Sequence, residues 1–348
     1  MMAVLTATLL TACQKDELKE ITPESPVAIS IGTNVSMDVT ADTRAVAETD
    51  NFNLQDTQFL PAAAVNGQSW TPVANNAIAV YVEDTGTGSS QTAYADAMRY
   101  TTNGDGTTTP ATVQYYPSNN QAVDIYAYYP AQSTEIVPAT PRDRNVGNIS
   151  FTVGSDQQTL ANYALSDLMY ASSENVARTS NAVPLTFKHL LTKLTLTIKT
   201  DGNFKESHLQ NAVVTIENTN RVANFNFTTG ALVETASGSG NYTSGSTTSA
   251  VTVMTINTAI EESTTASQVG SAIVVPQVVA ANSDFIKVTL ANDGTYVYKA
   301  PAGGITLQKE RQYNYTITLT NTGIQVSTAI TTWGEEITGS GNATQPDA

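Results

Sequence analysis

The feature that most constrains this chain is a two-residue rhythm. Leu190, Leu194, Leu196 and Ile198 share one parity, while Lys193, Thr195, Thr197 and Lys199 share the other. Successive strand residues point to opposite sides, so this pattern makes a half-buried antiparallel strand with one apolar and one polar face. The rhythm recurs in short bursts: Ala77 to Val82, Val123 to Tyr129, Ala212 to Ile216, Ala223 to Thr228, Ala250 to Ile256, Ser271 to Val275, Phe285 to Leu290, Thr295 to Tyr298 and Tyr313 to Leu319. Turn residues separate the bursts. Asn103-Gly104-Asp105-Gly106 reads as a hairpin turn, and Gly238 to Thr248 as a Gly/Ser/Thr loop. No long amphipathic helix, heptad or short repeat is present; Ser155 to Ala171 alone gives mixed signals, with Leu160, Ala164, Leu165 and Leu168 fitting a short helical turn or a loop on a sheet. Many short strands at this spacing predict an all-β sandwich or barrel.

Charge narrows the partners. The 348 residues carry a formal charge of −15, which disfavours nucleic acid and anionic membrane surfaces. The length suits about two domains. A single cysteine excludes an internal disulfide framework and a Cys-x-x-Cys metal site.

The place of that cysteine matters more. Residues 1–12 form a short apolar run ending Leu10-Thr11-Ala12, directly before Cys13. A bilayer-spanning helix needs about 20 residues, so the run reads as the apolar and cleavage regions of a signal peptide. It resembles the lipobox of bacterial lipoproteins, which implies cleavage before Cys13, acylation there and attachment to a membrane through the lipid. No Lys or Arg precedes the run, which departs from the signal-peptide pattern. Lys15-Asp16-Glu17 is similar to the acidic export signal of Bacteroidetes surface lipoproteins, implying the outer face of the outer membrane.

Downstream, Val27, Ile29 and Ile31 alternate, Gly32 to Asn34 interrupts, and Val35, Met37 and Val39 resume. One strand or two short ones are expected here. Asp42 to Val46 lacks apolar period and reads as accessible chain.

Several segments occur together in order: Tyr115-Tyr116-Pro117, Val123-Asp124-Ile125-Tyr126-Ala127-Tyr128-Tyr129-Pro130, Asp167-Leu168-Met169-Tyr170-Ala171, and Leu185-Thr186-Phe187-Lys188-His189-Leu190-Leu191. Val274-Val275-Pro276-Gln277, Gly303-Gly304-Ile305-Thr306-Leu307, Tyr313-Asn314-Tyr315-Thr316-Ile317 and Ile330-Thr331-Thr332-Trp333 complete the set. Together they resemble the fimbrillin family of Bacteroidetes, the subunits of type V pili. The resemblance implies two tandem transthyretin-like antiparallel β-sandwich domains. It also implies export as a surface lipoprotein, removal of the N-terminal segment by an Arg-specific protease, and filling of the vacated groove by a strand from another pilus subunit. On that scheme residues 1–12 are the signal peptide and 13–44 the tether with its removable strand. Residues 45–184 and 185–336 are the two sandwiches, and 337–348 a disordered tail.

Mapped onto this sequence, cleavage falls between Arg44 and Ala45, and the removable strand carries Val27, Ile29, Ile31, Val35, Met37 and Val39. The candidate donor strand carries Ile324, Val326 and Ile330, which share parity, with Trp333 beyond. The expected product is a structural fimbrial subunit at the cell surface that supports adhesion. Two alternatives stay open: a tip, anchor or accessory subunit, or a monomeric surface lipoprotein binding a host glycan or protein. Trp70, Tyr94, Tyr100 and Tyr163 are either sugar-stacking residues of that last reading or core residues.

An enzyme is not expected. His189 lies between Phe187 and Leu191 and reads as a packed strand residue; His208 reads as an exposed turn. There is no Gly-x-Ser-x-Gly elbow and no His-Glu-x-x-His. Glu261-Glu262 and Glu335-Glu336 are adjacent, so in strands they face opposite sides. Asn103-Gly104-Asp105 supplies too few oxygens for calcium, which takes six to eight. No cofactor or metal is expected.

Overall fold

A computed structural model describes residues 25–35, 77–85, 93–102, 107–131, 148–201, 204, 209–227, 229–245, 247–256, 267–291 and 294–333. The strands of the first half are β1 (Ile31–Val35), β2 (Ala77–Asp84), β3 (Ala93–Thr102), β4 (Thr108–Pro110), β5 (Val123–Tyr129), β6 (Asn148–Thr152), β7 (Met169–Val176) and β8 (Val183–His189). One short helix, α1 (Leu160–Leu165), precedes β7. The second half supplies β9 (Thr192–Thr200), β10 (Val213–Asn220), β11 (Val222–Asn226), β12 (Ala231–Leu232), β13 (Thr248–Thr255) and β14 (Ser267–Val274). It ends with β15 (Gln277–Val279), β16 (Asp284–Thr289), β17 (Thr295–Lys299), β18 (Ile305–Leu307), β19 (Arg311–Thr320) and β20 (Gly323–Thr332). The protein is all-β, as its alternation predicts.

Two apolar cores form. The first lies between a seven-stranded sheet, ordered β1-β8-β7-β5-β2-β3-β4, and a small sheet ordered β12-β11-β6. The second lies between two four-stranded sheets, β14-β9-β19-β20 and β13-β10-β16-β17. Most pairings are antiparallel, but β1 runs parallel to β8 and β9 parallel to β19.

The cores do not divide the chain where the residue pattern places the break. The expected boundary between residues 184 and 185 falls inside β8, whose Val183, Leu185 and Phe187 all lie in the first core. Core membership changes between Leu191 and Leu194, where the chain leaves β8 and enters β9. Leu190 therefore packs in the first core and not on the apolar face of β9. Further on, β11 returns to the first core and pairs with β6, from Val222 opposite Thr152 to Asn226 opposite Asn148. Phe225 and Phe227 seat there among Tyr81, Tyr128 and Tyr170, with ring centroids 4.4–6.0 Å apart, the separation at which edge-to-face contact is favourable.

Lys193 is a second departure from the pattern. Alternation puts it on the solvent face of β9, yet it is buried, and burial lowers its ammonium from 10.5 to about 7. The cause lies in the neighbouring strands. Lys193 is paired with Ile273 of β14 and Gln312 of β19. Ile273 belongs to the first core, so this end of the sheet's polar face is covered by the other half of the molecule.

The junction is closed by Trp333, the residue that follows β20. Trp333 stacks on His189, with ring centroids 4.0 Å apart and planes 6° from parallel. The Trp333 N–H donates to the Glu310 carbonyl (3.0 Å), and the Glu310 N–H to that of Leu191 (2.8 Å).

Candidate functional site

The site is the seat of β1, the first of the described strands. Segment 27–35 enters the seven-stranded sheet at its end, and it is bonded along both of its edges. On one side β1 runs beside β8 in parallel register, Ile31 opposite Val183 through Val35 opposite Phe187, and the Val183 N–H donates to the Ser30 carbonyl at 2.8 Å. On the other side Gly32 bridges Thr107 and Ala28 bridges Tyr115, both antiparallel. There the Ile29 N–H donates to Gln114 O (2.8 Å), the Tyr116 N–H to Val27 O (3.0 Å), and the Thr108 hydroxyl to Ile31 O (2.9 Å). Since β4 is the far end of the same sheet, β1 joins its two ends, and the sheet curls closed around it.

The side chains follow the expected alternation. Ile29 and Ile31 are 2% and 0% exposed and Thr33 is 5% exposed, whereas Ala28 and Ser30 face out. Val27 packs on the rim of the same core. β-Branched residues suit this position, because their stiff χ1 loses little freedom in a strand. The surroundings are dry. Burial pushes the Tyr100 phenol up to about 12, with the neighbouring Tyr116 phenol adding to the shift, and Tyr116 itself is raised by burial.

Arg178 holds the entrance. Its Nη2 donates to the Ser25 carbonyl and its Nη1 to the Asn120 side-chain oxygen, each at 2.6 Å. It was not singled out in the sequence, where nothing marks one arginine after β7 as lying beside residue 25. The partners β8 and 107–116 are likewise distant in sequence, although the alternation of Val183, Leu185, Phe187 and His189 marks β8 as a strand with one buried face.

The candidate donor residues lie elsewhere. Ile324, Val326 and Ile330 are on β20, which forms a hairpin with β19 from Arg311 opposite Thr332 to Thr320 opposite Gly323. Among the described residues β20 is the end strand of its sheet, bonded along one edge by β19. Val326 is buried in the second core, Ile324 packs partly against it, and Ile330 is 57% exposed. The candidate donor residues thus lie on a different sheet from the seat of β1.

Of the removable-strand residues, Val27, Ile29 and Ile31 are brought to the slot, and Val35 is placed by its backbone on β1. Met37, Val39, Cys13, Arg44 and Ala45 lie outside the described residues. So do Trp70, His208 and the turn at 103–106; Tyr94 is described by its backbone alone. Tyr100 and Tyr163 are fully buried and belong to the core, the second of the two readings given for them.

His189 and Asp167 form a buried pair, with Nδ1 3.0 Å and 2.9 Å from the two carboxylate oxygens. The nearby Ser166 hydroxyl is already engaged. It donates to the Asn162 carbonyl (2.9 Å) and accepts from the Gly154 N–H (3.0 Å), so it finishes α1 and does not face the imidazole as a nucleophile. Trp333 lies flat on the imidazole. The pair is built as a packing element of the junction.

The described residues make an all-β protein in which the first described strand is bonded along both edges. The sequence profile of the fimbrillin-like family matches residues 63–333, and the chain belongs to that family. A Bacteroides uniformis protein provisionally named fimbrium subunit Fim1C is 27% identical over 270 residues, covering 75% of this chain and 78% of its own. Two crystal structures of proteins provisionally assigned to cell adhesion share the fold. One, from Bacteroides uniformis, has a TM-score of 0.58 at 20% identity and covers 89% of this chain and 98% of that one. The other, from Bacteroides ovatus, has a TM-score of 0.57 at 23% identity and covers 90% and 99%.

Proposed function

We propose that this chain is a structural subunit of a cell-surface pilus that supports adhesion. It is exported as a lipoprotein through Cys13 to the outer face of the outer membrane. It is built as two tandem transthyretin-like sandwiches, and it is polymerised with other pilus subunits by strand exchange after cleavage between Arg44 and Ala45. It takes no cofactor and has no catalytic role. The observation that carries this reading is the seat of β1: a short aliphatic strand, nearest the N-terminus among the described strands, closes a sheet from both edges.

The physics favours replacement over vacancy. Removing residues 27–35 would leave two rows of backbone groups unpaired and a dry apolar trough exposed. A strand that restores both satisfies the groups and reburies the surface. Burying one aliphatic side chain contributes about 1.5–3 kcal/mol, so Ile29 and Ile31 together account for roughly 3–6 kcal/mol before ordering costs. A head-to-tail exchange of this kind is open-ended and makes a filament.

Arg44→Ala tests the reading. The variant should reach the cell surface, retain its lipid and leave fibres absent from electron micrographs. Normal fibres made from the uncleaved variant would rule out processing at this bond.

A further inference from the structure

The two cores share the chain between them. It passes from the first to the second between Leu191 and Leu194, returns with Ala223, Phe225 and Phe227, and leaves again before Val251. Two buried glutamines, Gln157 and Gln277, sit at these crossings, and each side-chain amide pairs with backbone as a short piece of strand would.

Gln157 comes from the first half. Segment 155–157 lies along the outer edge of β13, an end strand among the described residues of the second half. There the Thr252 N–H donates to Ser155 O (2.7 Å) and the Gln157 N–H to Thr252 O (2.9 Å). The Gln157 side chain reaches β14, the end strand of the facing sheet. Its Oε1 accepts from the Ile273 N–H and its Nε2 donates to the Ile273 carbonyl, each at 2.8 Å. One residue of the first half thus holds both sheets of the second sandwich.

Gln277, on β15, holds the return crossing. Its Oε1 accepts from the Asn220 N–H (2.8 Å), and its Nε2 donates to the carbonyls of Asn220 (3.0 Å) and Val275 (2.9 Å). Asn220 ends β10 in the second half, and β11 starts at Val222 beside the first core. Arg221, between them, accepts from the Val153 N–H (2.8 Å) and donates from Nη1 to the Val153 carbonyl (2.6 Å), while its Nε donates to the Ser249 hydroxyl of β13 (2.7 Å). A buried amide that meets both an N–H and a C=O satisfies all four groups, and losing it strands two backbone groups in a dry interior. Such a clamp holds only while both surfaces are in place.

We infer that Gln157 and Gln277 couple the two sandwiches into one unit with no hinge between them, so that neither opens while the other stays folded. This coupling belongs to the single chain and does not depend on the strand exchange proposed above. Within a fibre its consequence is that load crosses each subunit without flexing at the junction.

Pulse-labelling hydrogen exchange across a urea titration tests the coupling in the full chain carrying Cys13→Ser, read by mass on peptides from β5 in the first core and β16 in the second. The parent should lose protection in both at one midpoint, as a single cooperative unit does. Gln157→Met with Gln277→Met removes both amides with little change in side-chain length, and its two midpoints should separate by at least about 0.5 M. Gln158→Met, which removes only the exposed bond from the Thr255 hydroxyl (2.6 Å), should keep them together. If the double variant does not fold, the single variants are read in the same way. Separate midpoints in the parent overturn the coupling. Midpoints that fall together in the Gln157 and Gln277 variants overturn it as well, because the amides then stabilise the fold without joining its halves.

Discussion

Ile31→Ala is the substitution whose cost the structure sets most directly. Ile31 is 0% exposed and lies in the first core, at the centre of the slot. The change removes three carbons, worth about 2.4 kcal/mol at roughly 0.8 kcal/mol each. A residual cavity of roughly 50 Å³ adds about 1.2 kcal/mol, at about 24 cal/mol per Å³. The sum, about 3.5 kcal/mol, falls within the usual span for such truncations. With an m-value of about 2 kcal/mol/M in urea, the midpoint drops by roughly 1.5–2 M. The assay is equilibrium unfolding of the uncleaved chain carrying Cys13→Ser, followed by tryptophan fluorescence, because Trp333 lies in the first core and reports its loss. Ile330→Ala, at a 57% exposed side chain, is the control and should stay within about 0.5 kcal/mol. If Ile31→Ala costs no more than Ile330→Ala, β1 is not part of the core and the slot argument fails.

Four further substitutions probe the rest of the fold. Burial holds Lys193 at about 7 against 10.5 for the free side chain, so between these pH values the unfolded chain binds a proton that the folded chain does not, and stability rises with pH. Lys193→Met should therefore be more stable than the parent near pH 7, with an advantage that shrinks by about pH 9 as the parent recovers; a constant difference across that range contradicts the assignment. Gly230 has a φ of +65°, and a Cβ there would meet the Tyr170 ring at 2.2 Å, whereas Gly238, at φ +74°, has open space around it. Both alanine variants carry the left-handed penalty of about 1–2 kcal/mol, so Gly230→Ala should exceed Gly238→Ala by at least about 1 kcal/mol in urea unfolding. Trp333→Ala should cost about 3–5 kcal/mol, since it removes a buried ring from the junction and uncovers His189; a loss under 1 kcal/mol by calorimetry would show that the stack does not bind the two halves.

Much of the fold was legible because alternation is a local property. Val123 to Tyr129 is a strand over that span, and the inward parity of Val27, Ile29 and Ile31 is the buried parity. Pairing is not local. Nothing near Ile31 marks Val183 as its neighbour, or shows that Gly32 bridges Thr107. The same limit explains β11, which reads as one more strand of the second half and closes the first core instead. It explains Lys193 too: alternation gives the face a residue occupies, but the cover on that face comes from the other half of the molecule.

The central claim is that the finished subunit lacks the strand with which it folded. Intact-mass measurement of subunits stripped from surface fibres tests it most directly. The expected mass is that of a mature chain beginning at Ala45, with neither lipid nor residues 27–35. Subunits that begin at acylated Cys13 within the fibre would contradict it.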